Sequence, residues 1–353
     1  MNGVINIYKE KGCTSFHIVY EVRRMTGESK VGHTGTLDPG ACGVLPVCIG
    51  KATKLVGQLT DTDKTYRCVM LFGKRTDTQD LSGTVMEEMQ AEDVYSALLS
   101  YGRTEHDNKN GSSGDLSAEE RKQIIYKNVA AVMDTFIGEV QQLPPMYSAV
   151  KVEGVKLLDL ARHGVEIERK KRKVTIYSIS DLKLYDDLLH LSFTVECSKG
   201  TYIRTLCQDI GERMGIPACM EELERTVAAG MKAEDSVTLE KAWSWALSGE
   251  LKEHITPPDD FLMDHDALIV KDSAVKHLIY GNYLYSEDIF SLTDDPKKDR
   301  SEDSQADGPE EHNAADNDGK QFRVYDRSGE FYALYAFDAH ENCYKCVKMF
   351  RDL

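Results

Sequence analysis

The chain has 353 residues, 41% of them hydrophobic and 29% charged, with a formal net charge of −16. That length exceeds what one small core organises and suits a large domain followed by a smaller one. The first residues, MNGVINIYKEKG, lack the charged start and apolar run of a signal peptide, and no window reaches the ~18 apolar residues of a membrane span; a cytoplasmic protein without a membrane partner is expected.

Nine scattered cysteines, an odd count, favour reduced thiols over a disulfide framework. Cys343 and Cys346 form a lone CxxC with no second pair or nearby histidine, so no metal site is expected. The acidic balance argues on its face against a nucleic-acid partner, since phosphate contacts need Lys and Arg. Its distribution matters more: the stretch from Leu292 to Gly319 alone carries a net −7, leaving −9 for everything else.

In chain order, Val4 to Tyr8 alternates apolar and polar as a strand does, and Gly12 ends it in a turn. Thr14 and Ser15 offer an N-cap for a helix carrying Phe16, Val19, Tyr20 and Val22 on one side, with Arg23 and Arg24 near its end. The next stretch, Val31 to Lys54, reads VGHTGTLDPGACGVLPVCIGKATK. Its glycines and prolines demand turns and exclude a helix or regular strand through Asp38. A phosphate-binding loop is excluded as well, because six residues separate Gly43 from Gly50 and Ala52 follows Lys51, where that motif needs four residues and a Ser or Thr. Asp38 before Pro39 suits a simple turn, which is the commonest use of Asp-Pro.

The whole string is more specific than its parts. Gly-His-Thr-Gly-x-Leu-Asp-Pro-x-Ala-x-Gly-Val-Leu-Pro-Val-x-x-Gly-x-Ala-Thr-Lys resembles the active-site signature of the TruB family of tRNA pseudouridine synthases. Upstream, the family's Lys-Pro-x-Gly appears here as Lys9-Glu10-Lys11-Gly12, without the proline. Ala52 to Leu59 reads as a short helix. Lys64 to Gly73 is a largely buried strand in which Tyr66, by residue type a core residue, occupies the family position whose tyrosine contacts the target base. Thr76 to Gly83 resembles the family's Thr-Asp-Thr-Asp-x-x-x-Gly turn, with Gln79 in place of an acid.

Residues from about 101 to 116 are polar, Gly-rich and aperiodic, and read as an exposed insertion. Ser117 with Glu120 forms a capping-box pattern ahead of a structural helix. The segment from about 141 to 168 resembles the family's Gln-x-Pro-Pro-x-Tyr-Ser-Ala element and the arm that grips the tRNA T-loop. The basic run Arg169 to Lys173 leads into a strand from Val174, and Leu189 to Glu196 alternates as another. Tyr202-Ile203-Arg204 matches the family's Tyr-Ile-Arg. Leu223 matches a position lining the base pocket, while Glu224 stands where arginine is usual.

The expected fold is α+β: a pseudouridine synthase domain over 1–265 with a mixed, mostly antiparallel central sheet, then a small PUA-like β domain over 266–353, interrupted by a disordered acidic loop at 292–319. The resemblance implies that uridine 55 in the T-loop of tRNA is isomerised to pseudouridine after flipping out of its stack. The reaction needs an ionised carboxylate beside the ribose, as nucleophile or as base. Asp38 is the candidate, and Arg204 its charge partner. Tyr66 stacks on the base and accepts or relays the C5 proton, His33 fills or holds the vacated space or fastens its loop, and Tyr202 and Leu223 meet the substrate. An isomerisation needs no cofactor and no metal. The partner is tRNA through its T-arm, and the enzyme is expected to be a monomer. Two other readings share these residues: a tRNA-folding chaperone with incidental catalysis, and the catalytic subunit of a guide-RNA particle.

Overall fold

The computed structural model describes residues 1–102, 117–148, 151–152, 155–156, 167–293 and 318–351. The chain opens with strand β1 (Gly3–Lys9) and a helix over Ser15–Thr26, then β2 (Val31–His33), β3 (Cys42–Ile49) and a short helix over Val56–Thr60. Strands β4 (Lys64–Phe72), β5 (Lys74–Thr76) and β6 (Val85–Glu88) follow, then helices over Ala91–Ser100 and Ala118–Asp134. After β7 (Gly138–Gln142), a two-stranded hairpin joins β8 (Lys151–Val152) to β9 (Val155–Lys156). The larger, N-terminal half closes with β10 (Arg172–Leu184), β11 (His190–Cys197), a helix over Ile203–Met214, β12 (Ala218–Ala228), β13 (Met231–Lys232) and a helix over Leu239–Ser248.

One nine-stranded sheet organises this half in the order β1-β3-β12-β4-β11-β10-β7, with β2 and β13 added at the side. Among the described residues the β3–β12 ladder of this sheet is parallel and its other ladders are antiparallel, as expected for a mixed sheet. The helices over Ala118–Asp134 and Ile203–Met214 bury Ile125, Val129, Val132, Leu206 and Ile210 against Cys68, Met70 and Phe193 of the sheet. The predicted capping box is formed: Ser117 Oγ accepts from Glu120 N–H, and Glu120 returns its carboxylate to Ser117 N–H.

Two local expectations need correction. Thr14 does cap the first helix, accepting from His17 N–H, but Phe16 and Tyr20 are not on its buried side. They are 67% and 51% exposed, because the helix buries Ile18, Val19 and Val22; Tyr20 instead lies beneath the Arg24 guanidinium, 5.9 Å from its ring centroid. The glycine-rich stretch does avoid regular structure from Thr34 to Ala41, yet it continues into β3, a central strand with almost no exposed residue. Pro46 lacks a donor there, but its carbonyl accepts from Thr34 N–H at 3.1 Å. Gly43 serves close packing: a Cβ at this position would stand 2.2 Å from the Arg225 carbonyl oxygen, and its φ of +110° is one that side chains resist.

A separate five-stranded sheet, β15-β14-β16-β17-β18, runs from β14 (Ala267–Val270) and β15 (Ile289–Thr293) to β16 (Gln321–Tyr325), β17 (Phe331–Asp338) and β18 (Cys343–Met349). It forms the expected small C-terminal β unit. The two halves share a core cluster in which Val4, Cys48, Ala52, Leu55 and Leu59 meet Leu334 and Phe350. Residues 103–116 of the expected insertion, most of the expected arm beyond Ser148, and 294–317 of the acidic loop lie outside the described residues.

Candidate active site

A concavity of about 530 Å³ opens on the central sheet, bounded by the Gly35–Asp38 loop, Lys64 and Tyr66 of β4, Ser198–Arg204, and Leu223 and Arg225 of β12. Its size falls among small-ligand sites, which run ~300–1,000 Å³. Asp38, Tyr66, Arg204, Tyr202 and Leu223, five of the six residues singled out from sequence, line it together.

Asp38 comes from the loop between β2 and β3, held from two sides. Ser15 Oγ donates to Leu37 O at 3.1 Å and accepts from Leu37 N–H at 2.9 Å, so the start of the first helix grips the residue before the acid. Below, the fully buried Lys9 ammonium donates to Ala41 O at 2.6 Å and to Glu10 O at 3.1 Å. Burial pulls the Lys9 pKa down, and nearby carboxylate and thiol groups pull it back.

Arg204 stands in the first turn of the Ile203–Met214 helix and meets Asp38 Oδ2 through Nε at 3.0 Å. Its two other nitrogens donate to Thr78 O at 3.1 Å and to Tyr147 O at 2.9 Å, and Asp80 lies 3.9 Å away. The arginine side chain is 7% exposed and the aspartate side chain 40%, so the cation is fixed inside while the carboxylate is presented to the concavity. Desolvation raises the Asp38 pKa above the usual carboxylate value, Arg204 opposes the rise, Asp80 adds to it and Lys9 opposes it. Tyr202, the residue before this helix, exchanges two backbone hydrogen bonds with the buried Gln142 amide, which joins β7 to the site.

Tyr66 is partly buried on β4, directly opposite Arg225 of β12 in the antiparallel ladder. Burial pushes its phenol pKa up, and the charge of Arg225 and a side-chain hydrogen bond with it pull the other way. Lys64, two residues earlier and on the same face, donates to Thr60 O at 2.5 Å and to Thr62 O; burial and then Arg225 push it down to about 8. At the rim, Lys199 pairs with Asp61 at 2.9 Å and Lys173 with Glu139 at 2.5 Å, both exposed pairs that phosphate groups can displace.

His33 is the exception among the six. It stands on β2, outside the lining of the concavity, with Nδ1 accepting from Gly35 N–H at 3.2 Å; burial and Arg225 lower its pKa. Glu224 points to the opposite face of β12, as alternation requires, where it accepts from Tyr8 O–H at 3.0 Å and pairs with Arg67 at 3.2 Å. The residue overlooked by the sequence reading is Arg225, 1% exposed, donating to Val44 O at 2.8 Å and Gly35 O at 3.1 Å. Its signal was the strand alternation itself, which puts 223 and 225 on one face. Among the described residues no cluster of His, Cys, Asp and Glu suits a metal ion.

Residues 23–103 and 92–203 match the TruB family pseudouridylate synthase N-terminal domain, and residues 204–263 match the tRNA pseudouridylate synthase B C-terminal domain. The chain belongs to the TruB family. Relatives named tRNA pseudouridine synthase B bear this out: that of Clostridium perfringens strain 13 is 39% identical, covering 82% of this chain and 88% of the relative. The protein of the same name from Staphylococcus saprophyticus is 36% identical over 83% of this chain and 88% of its own length. Both TruB segments end before the C-terminal sheet, and residues 204–263 supply Arg204 and β12 to the catalytic sheet. Solved structures of a Cbf5–Nop10–Gar1 complex (24% identical, TM-score 0.59) and of an H/ACA particle bound to a substrate RNA containing 2′-deoxyuridine (23% identical, TM-score 0.59) each span 99% of this TruB chain and 85% of their own, and show the shared fold.

Proposed function

We propose that this TruB enzyme flips uridine 55 out of the tRNA T-loop into the concavity and rejoins the base to C1′ through C5. The coarser activity is direct: the chain is a tRNA pseudouridine synthase, an isomerase acting on tRNA. The observation that carries the finer reading is Asp38, a half-buried carboxylate held at 3.0 Å by a buried arginine and lining the same concavity as Tyr66.

In this reading the Asp38 carboxylate acts beside C1′ and C2′, either attacking C1′ or removing a ribose proton; both roles require its ionised form. Arg204 keeps the acid ionised against desolvation and fixes its direction. Leu223 and Tyr66 pack on the uracil, Tyr202 borders its ribose side, and the basic rim takes the backbone phosphates. His33 holds the loop that carries Asp38 and stands ready to occupy the space the base leaves. The proton lost at C5 is balanced by one gained at N1, so neither cofactor nor metal is required.

The test is tritium release from C5 of an unmodified tRNA transcript. Wild-type protein releases tritium, a uridine-to-cytidine change at position 55 abolishes release, and Asp38→Ala abolishes it while tRNA still binds. Release that survives Asp38→Ala removes the aspartate from the reaction; tight binding without release by the wild type points to a folding aid or a guide-dependent subunit.

A further inference from the structure

We propose that Arg225 is a positioning residue for the reaction, which aims the Tyr66 oxygen at C5 and makes it fit to receive the C5 proton. The inference rests on the pseudouridylation reading and adds a residue to it. Its basis is the geometry around a guanidinium that is almost completely withdrawn from water.

A buried arginine normally sits against a carboxylate, because an unpaired interior charge is costly. Here Nε donates to Val44 O and Nη2 to Gly35 O, both neutral carbonyls, and the titratable group its charge acts on is the phenol of Tyr66, its partner across the ladder. The placement comes from the ladder: Arg225 and Tyr66 are Cα partners across β12 and β4, and Arg225 also faces Gly43 of β3. Cross-strand partners carry Cβ atoms ~4.5–5.5 Å apart, so the contact is built into the sheet register. Gly43 allows it, since any side chain there would collide with the Arg225 backbone. The same guanidinium ties the Gly35 end of the Asp38 loop to the strand pair that carries Tyr66.

The chemistry explains why a cation is placed there. After C1′ has bonded to C5, the C5–H bond breaks, its electron pair restores the C5=C6 double bond and displaces the N1=C6 pair onto N1, which takes up a proton, while the C5 proton passes to Tyr66 as phenolate and leaves it the neutral phenol. A phenol in an apolar pocket is a poor acceptor unless its anionic form is stabilised. The other groups facing Tyr66 do not supply that help: Asp38 and Cys197 both disfavour the phenolate. Arg225 is the neighbour on the adjoining strands that favours it.

The experiment uses full-length protein with tRNA carrying 5-deuterated or 5-protonated uridine at position 55, in single turnover, comparing wild type, Arg225→Gln and Arg225→Lys. Arg225→Gln is expected to lower the rate by ~10²-fold, the lower end of what a well-placed acid or base contributes, with a deuterium isotope effect larger than in the wild type because proton removal now limits the rate. Arg225→Lys, which keeps the charge, recovers part of the rate. A more acidic phenol, difluorotyrosine at position 66, recovers further rate in the Arg225→Lys protein and little in the wild type; this arm also serves if Arg225→Gln does not fold. A slower Arg225→Gln with an unchanged isotope effect, or no rescue by the acidic phenol, overturns the inference and leaves a structural arginine. Wild-type protein that turns over neither substrate overturns instead the reading on which the inference rests.

Discussion

At the scale of single residues the decisive balance is the one on Asp38. Desolvation lifts its pKa, and Arg204 restrains the lift. In the proposed reaction the reactive form is the anion, so activity is complete above the raised pKa and is lost as pH falls through it. The acid limb of kcat/KM is therefore expected above the ordinary aspartate value of ~3.9. Arg204→Gln removes the restraining charge, and since an opposite charge at this range is worth ~1 to 3 pKa units, the limb moves up by that order. Tritium release followed from acid to neutral pH checks both statements; a limb that stays in place while the rate falls evenly means that Arg204 acts by geometry alone. That Asp38, Tyr66 and Arg204 meet at one concavity was legible because each sits at a position where the chain resembles the family: Asp38 in the long glycine-rich string, Arg204 in Tyr-Ile-Arg and Tyr66 in the Lys-x-Tyr spacing after the Asp38 loop. Arg225 was not, because a buried arginine facing carbonyls and a phenol looks like any other strand residue until the register is known.

Among the elements, the loop that carries Asp38 depends on a neighbour far from it in sequence. Ser15 is 3% exposed and makes both of its hydrogen bonds to Leu37. Ser15→Ala leaves a buried N–H without a partner, a cost of ~1–3 kcal/mol, and frees the loop that aims Asp38. A lower melting temperature accompanied by a fall in kcat is expected; a stability loss with unchanged kcat means the loop keeps its shape through Lys9 and His33. The sequence reading found this helix and its Thr14 cap from local chemistry, since an N-cap needs only neighbouring residues. It misassigned Phe16 and Tyr20 because hydrophobic character was taken as burial, whereas amphipathic rings also serve at a surface beside an arginine. It likewise took the glycines after Asp38 as turn-formers, although Gly43 is there for the approach of two strands, a tertiary demand invisible in a single sequence.

For the molecule as a whole, length and the family resemblance suggested a large unit followed by a small β unit, and the structure has a nine-stranded sheet and a separate five-stranded one. What composition could not show is that the units are bonded through a common core. Phe350 packs 5.3 Å from Phe331, ring to ring, and belongs to the cluster that includes Val4, Leu55 and Leu59 of the catalytic half. Lys54, the last residue of the signature string, donates to Met349 O at 2.8 Å across the same junction. Phe350→Ala is expected to cost ~3–5 kcal/mol and to lower the melting of the whole chain in one transition. Two separated transitions, with only the later part of the chain affected, mean that the β unit unfolds by itself.

Arg204 also acts as a keystone. Its guanidinium closes on Asp38, Thr78 and Tyr147, three segments that the chain brings in from distant points of its own length. No partly formed domain can hold that arrangement, since the loop closures that assemble it must all be complete first. In the proposed reaction a half-folded chain therefore contains the Asp38 carboxylate without the means to aim it. Competence arrives together with the finished architecture, and an immature molecule that meets tRNA has nothing with which to open a glycosidic bond.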